Sequence, residues 1–125
     1  MLRACREVTK PGGRIGGYTI HTPSGLDRDA AKRASELGPS EVGAGQSPAD
    51  LLRAAGLVVI VDEDVTDAFH ETLEAFRVAM DELEDDLRRE EGDADFEEGQ
   101  ERQTNMVQGV SEGLLRRSLL VAVKA

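Results

Sequence analysis

The chain has 125 residues, 39% of them hydrophobic, enough for one domain with a buried core. Fifteen basic against 25 acidic residues give a net charge of −10, which argues against a partner with a phosphate backbone. No apolar run approaches the roughly eighteen residues of a membrane span. The N-terminus MLRACREVTK has no apolar signal-peptide core, and the single Cys5 allows neither an internal disulfide nor a cysteine metal cluster. The expectation is a soluble, cytoplasmic chain.

The charge is local. Residues 81–98 hold 11 acidic and 2 basic side chains, so the remainder is close to neutral. This segment reads as a solvated helix face and loop.

Taken in order, residues 1–9 read as the end of a helix with Leu2, Cys5 and Val8 on one side, stopped by Lys10-Pro11-Gly12-Gly13. Residues 14–22 (RIGGYTIHT) have strand character, with Gly16 and Gly17 inside. Ser24 and Asp27 have capping-box spacing ahead of an alanine-rich helix that Gly38-Pro39 ends, and residues 40–46 read as loop. Ser47-Pro48-Ala49-Asp50 opens a short helix closed by Gly56. Residues 57–61 (LVVIV) read as a strand covered on both faces. Thr66 is expected to cap a long helix over 67–91, on which Phe69, Leu73, Phe76, Met80, Leu83 and Leu87 form an apolar stripe. Gly92 breaks it, a weaker helix covers 96–114, and residues 118–123 (SLLVAV) form a last strand. Strands separated by helices make a parallel, doubly covered sheet the default, though three strands leave an exposed edge. Such a sheet looks unfinished.

Several apparent motifs fail on spacing. His70-Glu71-Thr72-Leu73-Glu74 has glutamate where a zinc helix needs its second histidine. Residues 93–104 offer Thr104 where a calcium loop needs its bidentate glutamate. His21, Ser24 and Asp27 lack the strand-turn-helix elbow of a serine nucleophile. Cys5, without a basic neighbourhood, reads as a buried thiol.

Other pieces carry a resemblance. Lys10-Pro11-Gly12-Gly13-Arg14 leading into a strand resembles the passage into the fifth strand of Rossmann-like S-adenosylmethionine-dependent methyltransferases. Residues 47–61 look like that family's last helix and sixth strand, and residues 113–124 like its seventh strand, which runs antiparallel. The resemblance implies an α/β fold with two parallel strands, a final antiparallel strand and a helical cap. Residues 1–65 and 114–125 would form the sheet and its covering helices, and residues 66–113 the cap insertion. The family's cofactor site needs a glycine-rich turn after the first strand and an acidic residue ending the second. Neither is present, because residues 12–17 precede or lie within a strand. The resemblance therefore implies a C-terminal half that should not bind S-adenosylmethionine alone, completed by an N-terminal half in cis or in trans.

In that geometry the ends of the first two strands and the start of the last meet at one face. His21 then becomes the candidate general base, since imidazole exchanges protons near neutrality; the bland reading is a strand-end histidine bonded to a loop. Tyr18, Thr22, Arg116 and Arg117 are candidate substrate contacts. Regular alternation sets Tyr18 opposite His21, where core packing is the simpler role. The arginines could hold an anionic group or merely oppose a helix dipole. The implied reaction is methyl transfer to a small molecule. A non-enzymatic module, docking a partner or forming a homodimer through the 67–91 helix, is the alternative.

Overall fold

The computed structural model describes residues 1–39, 42 and 46–125. The expected loop at 40–46 therefore falls largely outside the described residues. The order is α1 (Leu2–Val8), β1 (Arg14–His21), α2 (Arg28–Leu37), α3 (Pro48–Ala54), β2 (Leu57–Asp64), α4 (Thr66–Glu82), α5 (Glu84–Glu91), α6 (Asp93–Ser111) and β3 (Arg116–Lys124).

The sheet is ordered β1-β3-β2, and β3 is antiparallel to both neighbours. The antiparallel course expected of the last strand is observed, and the expected parallel pairing is corrected: β1 and β2 run in the same direction but do not pair, because the last strand inserts between them. Its register sets His21 opposite Arg116 and Asp64 opposite Ser118. The ends of β1 and β2 thus meet the beginning of β3.

One sheet face is closed by α1 and α3, where Ala49 and Leu52 pack with Leu57, Leu120 and Ala122, joined by Leu2 and Ile15. Ser47 caps α3 as its sequence predicts, its side chain accepting from the Asp50 N–H, with Pro48 in the first turn. The opposite face is covered mainly at its upper end, where Phe69 of α4 is buried. Val58, on that face of β2, remains 51% exposed. The apolar run 57–61 therefore does not mark a doubly covered strand. β2 lies at the sheet margin, and only Leu57 in it is buried.

The two margins differ. β2 shifts register between Val59 and Val61 and ends in Asp62-Glu63-Asp64, a bulge and a charge run that discourage further pairing. β1 keeps an unbroken register over all eight residues, with no charged side chain between Arg14 and His21.

The helices correct the sequence reading in detail. Asp27, not Ser24, caps α2 by accepting from the Ala30 N–H. The long helix breaks at Leu83, and its cap position is Val65, with Thr66 already inside. The Asp64 carboxylate accepts the Thr66 N–H instead. The apolar stripe is buried only at Phe69 and Leu73; Phe76 is 57% exposed. Val8 is exposed and Cys5 half-buried, so neither belongs to the core.

The end of α6 locks the second core. Gly113 takes φ +74°, which glycine adopts without strain, and the returning Leu114 and Leu115 N–H groups both donate to the Gly109 carbonyl. Leu115 is fully buried against Gly109, while Ala34, Leu37 and Leu114 cluster beside it. A Cβ at Gly109 would lie 2.4 Å from Leu115 Cδ1 and 2.9 Å from its Cγ, whereas one at Gly99 meets nothing nearer than 3.6 Å. Gly109→Ala should destabilise by about 1–2 kcal/mol, overpacking outweighing the helix gain. Gly99→Ala on the same helix should stabilise by about 0.5–1 kcal/mol. Urea midpoints of the two variants test this packing, and a shift in the same direction for both would contradict it.

Candidate functional site

The site is built by strand ends. β1 delivers His21 and Thr22, β2 delivers Asp62 and Asp64, and β3 begins with Arg116 and Ser118. These side chains line an open cleft of about 530 Å³ at one end of the sheet.

Alternation puts His21, Arg116 and Ser118 on the same face, with Ser118 diagonal to His21 across the β1–β3 pair. The Ser118 Oγ lies 2.8 Å from His21 Nε2, and the Thr22 carbonyl lies 3.2 Å from His21 Nδ1. With the proton on Nδ1, the ring donates to the Thr22 carbonyl and accepts the Ser118 hydroxyl, so both nitrogens are used by a neutral imidazole. Ser118 is 5% exposed, a buried polar side chain whose hydroxyl finds its partner in this histidine. The pair fixes the ring at the cleft wall.

Beside it, Arg116 Nη1 donates to Asp64 Oδ2 at 3.1 Å, and the Thr66 N–H donates to Asp64 Oδ1 at 2.9 Å. Thr66 Oγ1 in turn accepts the Arg117 N–H, and the Val65 N–H donates to the Arg117 carbonyl. The end of β2, the first turn of α4 and the start of β3 are thereby tied into one unit.

Tyr18 and Arg117 lie on the opposite face. The Arg117 guanidinium carbon sits 4.2 Å from the Tyr18 ring centre and 4.9 Å from that of Phe69, so the cation lies over two rings. Tyr18 is 60% exposed, which corrects its expected role in the core. Of the residues singled out from sequence, the structure gathers His21, Thr22 and Arg116 in the cleft and pairs Tyr18 with Arg117 behind it. The arginines start a strand, not a helix end. Sequence reasoning missed Ser118 and Asp64. The expected antiparallel last strand already brings the end of β2 and the start of β3 to this face, and strand alternation from Arg116 was the further signal that would have singled out Ser118.

Among the described residues, glycines 12–17 do not form the loop that the cofactor of the resembled family needs. The Gly12 N–H donates to the Lys124 carbonyl and the Gly13 N–H to the Lys10 carbonyl, while Gly16 and Gly17 lie in register with Val121 and Leu120. These glycines build a turn and a strand, and open no helix onto a phosphate or carboxylate.

Hydrogen bonds from Thr66, with Arg116 adding, hold the Asp64 carboxyl below its ordinary value. A carboxyl lowered on folding stabilises the fold above its unfolded value, and that contribution disappears as pH falls through the folded value. Asp64→Asn should therefore make stability less steeply dependent on pH below about 4. Urea midpoints across the acid range check this, and an unchanged slope would contradict it.

No protein-family model matches the chain, and no curated protein sequence does. Solved structures do. A protein described as a sarcosine dimethylglycine methyltransferase from Galdieria sulphuraria superposes with TM-score 0.81 and 13% identity over 99% of this chain and 46% of its own. Phosphoethanolamine N-methyltransferase 2 of Haemonchus contortus, solved with phosphomonomethylethanolamine and S-adenosylhomocysteine, gives 0.75 and 14% over 98% of this chain and 29% of its own. A cyclopropane synthase from Mycobacterium tuberculosis gives 0.72 and 13% over 98% and 48%. The chain thus spans less than half the length of each. It has the α/β fold of the C-terminal portion of S-adenosylmethionine-dependent methyltransferases.

Proposed function

We propose that this chain is the acceptor-side half of an S-adenosylmethionine-dependent methyltransferase acting on a small molecule in the cytoplasm. The observation that carries this reading is the match over 99% of the chain to 46% of a longer methyltransferase-like fold. The sheet margins support it. β1, unbroken and uncharged along its length, is suited to be an interior strand, whereas β2 is blunted. On this reading the missing N-terminal half joins at β1, in cis or in trans, and brings the methyl donor's site.

This chain supplies shape and proton handling. Residues 66–113 are the cap insertion of this reading, tied to the cleft through the Thr66 N–H on Asp64, with the role of excluding water and selecting what enters. His21 takes the proton of an acceptor hydroxyl or amine, the ring held in place through the Thr22 carbonyl and Ser118. To do so Nε2 must exchange the Ser118 hydroxyl for the acceptor. Thr22 and Arg116 border the acceptor in the same cleft. Asp62 and Asp64 there disfavour a nucleic-acid substrate.

One observation favours the alternative of a docking module: Phe76 and Leu83 on the 67–91 stretch are both half exposed. The break at Leu83 argues against a continuous helical seam.

Calorimetric titration of S-adenosylhomocysteine into the 125-residue chain should give no heat of binding. Stoichiometric binding would overturn the division of labour. In the enzyme assembled with its N-terminal half, His21→Gln should lower kcat by about 10²–10⁴ with little change in KM. An undiminished kcat would remove His21 from the chemistry.

A further inference from the structure

The cation over the rings behaves unlike its neighbour. Arg116 is neutralised by Asp64, and most other arginines with side-chain contacts also meet carboxylates. Among the described residues no carboxylate lies within ion-pair distance of Arg117, in a chain with 25 acidic residues. Its guanidinium carbon instead lies over two aromatic rings, those of Tyr18 and Phe69. An aromatic face does not take the paired N–H bonds that a carboxylate would, so the guanidinium's N–H fork is left for an acceptor.

That fork borders a cavity of about 420 Å³. Its described lining is Tyr18, Thr19, Ile20, Pro39, Val42 and Phe69 beside Arg117, with no carboxylate among them. The cleft on the other face is the reverse, carrying Asp62 and Asp64 against an arginine already paired. An anion is drawn to the first and repelled from the second. A guanidinium partly withdrawn from water, with its geometry fixed by two rings, binds a planar or tetrahedral oxyanion through paired charge-assisted hydrogen bonds.

We infer that Arg117, clamped by Tyr18 and Phe69, is an oxyanion-recognition site that takes a carboxylate or a phosphate group. It lies on the sheet face opposite the His21 cleft, so it is a site separate from the acceptor cleft of the proposed function and does not rest on the methyltransferase reading.

The protein carries its own reporter, because Tyr18 is its one tyrosine and it has no tryptophan. Tyrosine fluorescence is followed while inorganic phosphate, or in a separate arm acetate, replaces chloride at fixed ionic strength. The expected result is a saturable change with at least one of the two anions. A response to phosphate alone assigns a phosphate group, and one to acetate assigns a carboxylate. Arg117→Met should abolish it, and Arg117→Lys should weaken it by on the order of tenfold, since an ammonium cannot offer the fork. Arg28→Gln, an exposed charge on α2, should leave it unchanged. The inference is overturned by a linear, non-saturating response, by no response to either anion, or by a response that survives in Arg117→Met. Should Arg117→Met not fold, the Arg117 Nε–H resonance of the unmodified chain replaces it: a saturable shift supports the site and a static one overturns it. No methyl donor enters these titrations, so a positive result with an inactive assembled enzyme would reject the methyltransferase reading and leave the anion site standing.

Discussion

The structure depends on the insertion of one antiparallel strand between two others. β3 supplies hydrogen bonds on both sides, so the chain's last described strand holds together elements that never contact each other directly. Its direction decides the site. Because β3 begins where β1 and β2 finish, Arg116, Arg117 and Ser118 arrive among His21, Thr22 and Asp64. A parallel strand in the same place would bring its last residues there instead, and Lys124 would stand where Arg116 does. The entry of that strand is fixed at its start by Leu115, buried against Gly109, and by the Thr66 and Val65 contacts to Arg117. A small glycine in α6 is thus two steps from the position of the site histidine.

Element types were largely legible, since capping residues and apolar periodicity are local properties. Ser47 and Pro48 announce α3, and the β-branched run at 57–61 announces a strand. Partnership was less legible. Val58 and Ile60 look like core side chains, yet both are about half exposed, because β-branched runs report strand character and not what lies against each face. Strand order is a non-local property, so the antiparallel course of the last strand was legible only through the resemblance, and its place between β1 and β2 was not. The grouping of His21 with Thr22 and Arg116 needed only strand ends and direction. The Arg117 clamp needed Phe69 from another element, at a sequence distance no spacing rule reaches.

Most of the molecule's excess acidity lies in residues 81–98, none of which lines the His21 cleft or the Arg117 cavity. Six of the eleven carboxylates of 81–98 meet arginines: Arg88 bridges Glu84, Asp93 and Glu97, Arg89 meets Asp86, Arg77 meets Asp81 and Arg102 meets Glu98. Such exposed pairs contribute little stability each, but they limit the field that so acidic a segment projects across the surface. Arg88 also lies over the buried Phe96 ring, which anchors this stretch to the core by burial as well as by charge.

The two sheet margins then give the proposed enzyme a direction. If the missing half joins at β1, Tyr18 ceases to be a surface residue and becomes part of the junction, because its strand acquires a neighbour on its outer side. The stacked Arg117 would lie at the seam, close to incoming chain, whereas the His21 cleft stays on the face that α1 and α3 already cover. An anionic group held at the seam would contact groups from both halves, so its binding and the joining of the halves would be thermodynamically linked. The half-exposure of Tyr18 has a physical reason on that view. An aromatic ring with a cation on one side and solvent on the other is half of an interface.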